Sequence, residues 1–243
     1  MGTDNLHHKR NPKQISALQR QHANRDPYDK VLIVCEDKKS AVHYFEEVRD
    51  SYEINTANIE IDGRCDSAPK SVVEYAIKRY KLEAKTENGF DRVFCVFDKD
   101  THSTYGEAIA LCAKQKPKGV FYSIPSVPCF EYWLLLHFRY STRPYQATGK
   151  KSVGDIAFDE LQSEFSKYQL SEYSKASRDI FRTLGIERLD DAKKHAERAL
   201  QEAEKNQTDN PVTYVHELIT YLQCIKDKKP DAVKKLSICK LVF

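Results

Sequence analysis

The chain has 243 residues and a mass of 28.1 kDa, which is enough for one or two domains. Of its residues, 40% are hydrophobic and 31% are charged, a composition typical of a globular protein. No apolar run approaches the roughly 20 residues of a membrane span, and the first residues lack the apolar core of a secretory signal, so we expect neither. The net charge is only +3 and lies within the first thirty residues, so bulk charge does not predict nucleic-acid binding by the rest of the chain.

Cysteine usage favours a reducing compartment. The seven cysteines are odd in number and form no C-x-x-C pair, and Cys35 and Cys95 lie inside apolar runs. A free cysteine in such a run behaves as a small hydrophobic residue. We therefore expect free thiols rather than a disulfide scaffold, and a cytoplasmic protein.

The first part of the chain alternates apolar runs with amphipathic segments after a polar start. Residues 1–28 are basic, polar and without periodicity, and a solubilising, partly disordered segment is favoured there over a nucleic-acid arm. Strands are predicted at 30–35, 58–63, 92–98 and 119–124, the last ended by Pro125, and helices at 40–50, 69–85, 104–115 and 128–138. Because strands and helices alternate, we predict an α/β domain over residues 29–145, with a parallel sheet flanked by helices.

The composition changes after Pro144. Residues 146–154 are polar and predict a loop, and helical patterns follow at 156–165, 171–184, 190–206 and 213–225. Asp190 or Asp191 is the expected N-cap of the third of these helices. We therefore predict a helical C-terminal region over residues 146–243, whose apolar end, 237–243, docks as a strand or as an extended segment.

Acidic residues follow two of the predicted strands. Glu36 ends the first strand, and Asp98 and Asp100 end the third. The carboxyl ends of parallel strands share one sheet edge, where ligands bind in such folds, and a spacing of two places both Asp side chains on one side if the chain stays extended. The Asp pair alone would favour a capping role, but with Glu36 at the same edge a site for Mg²⁺, with Mn²⁺ as the second choice, is the better interpretation.

Other polar residues near this edge keep more than one interpretation. His102 is a metal ligand, a proton donor, a group that supports a ligand, or a solvated loop residue. Lys38 and Lys39 contact substrate phosphate or are ordinary solvated charges. Glu131 lies in an otherwise apolar helix, so it should face the crevice or pair with a basic group, because an unpaired buried carboxylate is costly. The large apolar residues that follow Glu131 are expected in the core rather than as a base-stacking platform. No glycine-rich phosphate loop follows the first strand, which argues against a Rossmann or P-loop nucleotide site.

Five ordered motifs between about residues 30 and 225 carry a family resemblance: VLIVCEDKKSAVHYFEEV, IDGRCDSAP, FDRVFCVFDKDTH, SVPCFEYWLLLHF and NPVTYVHELITYL. Together they resemble the RloB family, also known through the abortive-infection protein AbiLii. Members of that family are similar to the Toprim fold of topoisomerases, primases and OLD nucleases. The family's Glu-Gly is here Glu36-Asp37, and its Asn-Pro-Cys-Phe-Glu begins here with Val127, while the acids themselves are retained.

The resemblance implies a Toprim-like parallel sheet in which Glu36 is the catalytic acid/base and a metal ligand. Asp98 and Asp100 would be the other metal carboxylates. His102 matches the family's D-x-D-x-H pattern and Glu131 its C-F-E motif, so both join the expected catalytic set. The family also implies bacterial anti-phage defence, often beside an AAA-type ATPase of the ABC class.

We therefore expect a Mg²⁺-dependent nuclease that acts in abortive infection, is toxic when released, and is restrained by an ATPase partner. Its substrate would be RNA, including tRNA, or DNA, with one or two metal ions at the site, and the assemblies to consider include a homodimer. The alternative is a non-catalytic adaptor or regulatory subunit of an ATPase-based defence complex. A primase-like phosphotransfer on the same site is a third, weaker hypothesis.

Overall fold

The structure, a computed structural model, describes residues 29–86 and 88–227. Its five strands are β1 (Val31–Cys35), β2 (Ile59–Asp62), β3 (Arg92–Asp98), β4 (Phe121–Val127) and β5 (Val212–Thr213). They form one sheet in the order β2-β1-β3-β4-β5, in which β1 to β4 are parallel and β5 is antiparallel to β4. The predicted α/β class is confirmed. The segments predicted at 1–28 and 237–243 lie outside the described residues.

Helices cover both faces of the sheet. They are α1 (Ser40–Ser51), α2 (Pro69–Glu83), α3 (Tyr105–Ala113), α4 (Phe130–Leu135), α5 (Val153–Lys167), α6 (Ile180–Leu184), α7 (Leu189–Lys205) and α8 (Val215–Lys226). A short 3₁₀ turn, Ile186–Arg188, joins α6 to α7. None of the described helices is long and apolar enough to cross a membrane.

The two central strands are buried on both faces, which explains their continuous apolar sequences. All five residues of β1 are buried, as are the five central residues of β3. Ile33 and Phe94 face one apolar cluster with α1 and the C-terminal helices, whereas Leu32 and Val93 face a second cluster with α2 and α3. The period of two along each strand therefore divides the apolar residues between two cores.

The helices beyond residue 146 share the first of these cores with the sheet. The Tyr44 ring of α1 lies 5.5 Å from the Phe130 ring of α4 and 5.5 Å from the Phe181 ring of α6. Such edge-to-face aromatic pairs add to the stabilisation from apolar burial. Trp133 is fully buried in the same cluster, and Leu134, Leu136 and His137 are buried beside it. The expectation that these residues belong to the core is confirmed.

Two boundaries around the fourth strand differ from the prediction. Pro125 does not end the strand, because β4 continues to Val127. Its missing N–H is tolerated because β5 pairs with only two residues of β4, and the Pro125 carbonyl accepts a hydrogen bond from Tyr214 N at 3.1 Å. Helix α4 begins at Phe130 rather than at 128, and the carbonyl of Pro128 instead accepts a hydrogen bond from Asp100 N.

The predictions were also wrong in parts of the C-terminal region. The helix expected over 171–184 is helical only in α6, because the first part of the segment makes tertiary contacts instead. Neither Asp190 nor Asp191 is the N-cap of α7. The helix begins at Leu189 with Arg188 before it, and both carboxylates lie in the first turn, where the helix dipole favours them. Strand β5 had no counterpart in the prediction, because two residues are too few to show alternation.

Gly63, just after β2, is packed too tightly for a side chain. A Cβ there would overlap the carbonyl oxygen of Asp37 and would lie 2.8 Å from Cγ2 of Val42. We expect Gly63→Ala to lower the free energy of unfolding by about 1–3 kcal/mol, the usual cost of overpacking. The matched control is Gly106→Ala in α3, where a Cβ meets nothing within 4 Å and a gain of up to about 0.5 kcal/mol is expected. Urea unfolding followed by circular dichroism would measure both, and equal stabilities would contradict the prediction.

Buried histidines should make stability depend on pH. Burial lowers the pKa of His137 to about 4, and it lowers the pKa of His216 likewise to about 4. In the unfolded chain both have a pKa of about 6.5, so between these values the unfolded state takes up protons that the folded state refuses. The free energy of unfolding should therefore fall as the pH drops from about 6.5 towards 4, and should be flat just above 6.5 as far as these groups are concerned. Urea midpoints across this range would show the slope, and a His137→Gln variant with an unchanged slope would refute the assignment to that residue.

Candidate functional site

The ends of the two central strands bring Glu36 and Asp98 together. Strands β1 and β3 are neighbours with Cys35 opposite Val96, so the residues that follow meet at the carboxyl edge of the sheet. The Glu36 amide donates to the Val96 carbonyl at 3.0 Å, and the Asp98 amide donates to Oε2 of Glu36 at 2.8 Å. The Glu36 side chain is thus fixed by the backbone of the neighbouring strand β3.

Asp100 is placed differently from the sequence expectation. The chain turns after Asp98, and Asp100 has a φ of +32°, lies exposed, and donates its amide to the Pro128 carbonyl at 2.9 Å. The extended geometry that would align the two Asp side chains is therefore absent. Within residues 29–86 and 88–227, no three His, Cys, Asp or Glu side chains form a group that could hold a metal ion as the side chains stand.

Glu131 is the carboxylate that faces Asp98. It is the second residue of α4 and is only 1% exposed. The hydroxyl of Tyr173 donates to its Oε1 at 3.2 Å, and Nζ of Lys175 lies 3.3 Å from the same oxygen. The expectation that Glu131 pairs with a basic group is confirmed. Burial raises the pKa of Asp98 well above its usual range, and the negative charges of Glu131 and then Glu36 raise it further.

His102 contacts Glu36 rather than only solvent. Its Nε2 lies 3.3 Å from Oε1 of Glu36, and its side chain is 34% exposed. Burial raises the pKa of Glu36, while the Asp98 amide and His102 act in the opposite direction. One carboxylate oxygen of Glu36 thus faces a backbone donor and the other faces an imidazole. This arrangement suits a proton donor or a supporting group, so both of these interpretations of His102 stay open.

A small cleft of about 30 Å³ separates these groups. Its walls include Glu36, Asp37, Asp98, Glu131 and Lys175. The rest of the wall comes from Ser40 and Ala41 of α1, Val96 and Phe97 of β3, and Phe130 of α4. Because four carboxylates meet one ammonium group, the cleft carries excess negative charge and would attract a cation.

The two lysines after the first strand stand outside this cleft. Lys38 and Lys39 are both exposed. Asp37 accepts hydrogen bonds from the backbone amides of Lys39 and Ser40, at 3.2 and 3.3 Å, and so fixes the entry to α1. The contact of Lys38 and Lys39 with substrate phosphate stays a prediction.

Sequence reasoning missed the residues that neutralise the acids. Tyr173 and Lys175 belong to the non-helical segment 171–179, which a helical prediction had covered. The cost of burying Glu131 predicted that a cation must exist, but nothing local in the sequence says which of 39 Lys and Arg residues it is.

Sequence reasoning also missed a buried acid, Asp62, at the end of β2. Asp62 accepts hydrogen bonds from Arg64 and from the Tyr75 hydroxyl at 2.9 Å, and it also pairs with Arg79. Burial alone would raise the pKa of Asp62, but the hydrogen bonds from Arg64 and Tyr75 outweigh it and lower the pKa to about 2. Asp62 is therefore a fully paired anion that anchors the chain beside the cleft.

Comparison with known proteins gives one match. The family model described as RloB-like protein matches residues 31–222, which is more than three quarters of the chain. No curated protein and no solved structure matches it. The match includes Glu36, Asp98, Asp100, His102 and Glu131, as well as Lys175.

Carboxylates that repel one another should lower stability while no metal ion is bound. We expect Asp98→Asn to raise the free energy of unfolding in EDTA at neutral pH by roughly 1 kcal/mol, because it removes a charge facing Glu36 and Glu131. Asp100→Asn is the matched control from the same motif, and its effect should be near zero because that side chain is exposed. Urea unfolding of the two variants checks this, and a destabilised Asp98→Asn protein would show that the charge is already compensated.

Proposed function

This chain belongs to the RloB-like family, and we propose that it is a metal-dependent, Toprim-like nuclease that hydrolyses phosphodiester bonds of RNA or DNA in bacterial anti-phage defence. Membership of the family is consistent with a defence-related role. The observation that carries the enzymatic part is the convergence of Glu36, Asp98 and Glu131 on one cleft at the carboxyl edge of a parallel sheet, with raised pKa values for the first two.

The donor set suits a hard cation. Mg²⁺ prefers carboxylate oxygens together with water and substrate phosphate, and the repulsion that raises the pKa of Asp98 is what a cation would relieve. Glu36 and Asp98 would hold the ion, with Asp100 joining from the turn and Glu131 beside them. When bound, Mg²⁺ or Mn²⁺ would polarise a phosphoryl oxygen and lower the pKa of water.

The chain's own residues would orient the reactants and move the proton. Glu36 is the proposed acid/base, because its pKa is raised by burial and its Oε1 faces Nε2 of His102. His102 would hold the proton at that oxygen or accept it. The exposed Lys38 and Lys39 would attract the phosphates of a nucleic-acid substrate.

Two observations favour the second candidate, an adaptor or regulatory subunit of an ATPase-based defence complex. The described side chains do not form a ready metal-binding group, and Glu131 is already paired. In that case the acids would be structural and an AAA or ABC-class ATPase would be the partner. We propose the same partner for the nuclease, where it would restrain cleavage, with a homodimer as a further possible assembly.

Cleavage assays separate the two functions. We expect the wild-type protein to cut RNA, tRNA or DNA in the presence of Mg²⁺ or Mn²⁺ but not in EDTA, and Glu36→Gln and Asp98→Asn to lower the rate at least about a hundredfold. Glu187→Gln is the control, because Glu187 is exposed and does not line the cleft. Cleavage by Glu36→Gln at the wild-type rate would sink the proposal. Absence of cleavage, together with phage defence retained by Glu36→Gln, would support the adaptor.

A further inference from the structure

Lys175 reaches the acidic cleft from residues 171–179, a segment for which the sequence wrongly predicted a helix. Residues 171–179 connect α5 to α6 without regular structure. The Lys175 side chain is 53% exposed, yet its Nζ lies 3.3 Å from Oε1 of Glu131, whose side chain is 2% exposed. A half-exposed lysine thus places its ammonium group beside a buried anion.

Tyr173 fixes this segment to the core two residues before Lys175. Tyr173 donates its amide to Gln162 and accepts from the same side chain, both at 2.9 Å. Its ring lies 5.4 Å from Phe158 and 5.7 Å from Phe165, so the residue is locked into the core. Lys175 follows two residues later, and a lysine carries its ammonium group on a flexible four-carbon stem with three rotatable donors.

Lys175 differs in charge from the other residues that line the cleft. Among the described residues that line the cleft, Lys175 is the one cation, opposite Glu36, Asp37, Asp98 and Glu131. A phosphodiester carries a negative charge and would be repelled by these carboxylates. A divalent ion bound by the carboxylates would compensate them, and Glu131 would then need its lysine less.

We propose that Lys175 is a phosphate-binding residue for the nucleic-acid substrate, held on Glu131 until a divalent cation takes its place beside the carboxylates. The inference rests on the proposed function, and it assigns a substrate contact beyond Lys38 and Lys39. In the metal-free cleft the ion pair between Lys175 and Glu131 compensates that one carboxylate and keeps the substrate contact switched off. Tyr173 stays on Glu131 in both states and keeps the segment in place.

A purely structural role is the competing explanation, in which Lys175 only neutralises a buried carboxylate. Glu131→Gln separates the two. If Lys175 is only a counter-ion, the variant no longer needs it, and Lys175 contributes nothing to binding. If Lys175 binds phosphate, Glu131→Gln releases it, and the metal-free protein gains a contact to nucleic acid.

The test is fluorescence anisotropy with a labelled single-stranded RNA and the DNA of the same sequence, in EDTA over a range of salt. The proteins are the full chain as wild type, Glu131→Gln, Lys175→Ala and the double variant. We expect Glu131→Gln to bind about tenfold more tightly than wild type, the value of one charge-assisted hydrogen bond. The slope of log K against log salt concentration should steepen by about 0.7, the value of one phosphate contact on a single strand. Both gains should vanish in the double variant.

Two controls keep folding and general charge effects apart from the proposed contact. Lys167→Ala removes an exposed lysine that pairs with Glu164 outside the cleft, and it should leave binding and salt dependence unchanged. Lys175→Arg keeps the charge and should retain part of the gain when combined with Glu131→Gln. Thermal unfolding of each variant identifies any that fail to fold.

Metal binding gives a second readout that needs no activity. Because the ammonium group competes for the carboxylates, Lys175→Ala should bind Mn²⁺ severalfold more tightly by calorimetry, and Lys175→Arg should resemble wild type. The inference would be overturned if the double variant bound with the affinity and salt dependence of Glu131→Gln. It would also be overturned if neither the wild-type protein nor Glu131→Gln bound either oligonucleotide. If the binding results hold but Mg²⁺ produces no cleavage, the nuclease proposal fails and the phosphate contact stands.

Discussion

The hydrogen bond from the Asp98 amide to the Glu36 carboxylate joins the ends of the two central strands, and the arrangement of the cleft depends on it. Strands β1 and β3 are buried on both faces, so their positions are set by two apolar cores. A residue that follows such a strand has little freedom to move away. The acids are therefore held in partly desolvated positions, where each raises the cost of ionising its neighbour.

The C-terminal region completes this cleft from the outside. Phe181 of α6 packs against Tyr44 in the core next to β1, and the segment before α6 delivers Tyr173 and Lys175 to Glu131. The acids thus come from the ends of the parallel strands and from α4, whereas the group that compensates Glu131 comes from about forty residues further along the chain. Mutations in the segment 171–179 can consequently change the charge balance of the cleft without touching the strands.

The sequence predicted well whatever depends on local pattern. Four strands and the helices α1, α2 and α3 follow from apolar periodicity, and the meeting of Glu36 with Asp98 follows from parallel pairing. The failures arose where tertiary contacts decide the local structure. Segment 171–179 has helical spacing but gives its hydrogen-bonding groups to Gln162 and Glu131, and Pro125 continues a strand because little pairs with its outer side. The orientation of Asp100 depends on a turn with positive φ, which a D-x-D motif does not encode.

Two acids of the cleft, Glu36 and Glu131, are compensated in different ways, and this difference bears on the proposed chemistry. Glu36 is held by a backbone amide and by a partly exposed imidazole, and the imidazole is a group that can exchange a proton with it. Glu131 is held by a phenol and an ammonium group, which stabilise a fixed negative charge. The two environments therefore support the different roles proposed for these residues, proton transfer for Glu36 and charge control for Glu131. Burial and the charges of Glu131 and Glu36 raise the pKa of Asp98, and the Phe130 amide and Lys175 oppose this only in part, so a cation that entered the cleft would relieve this repulsion by binding beside Asp98.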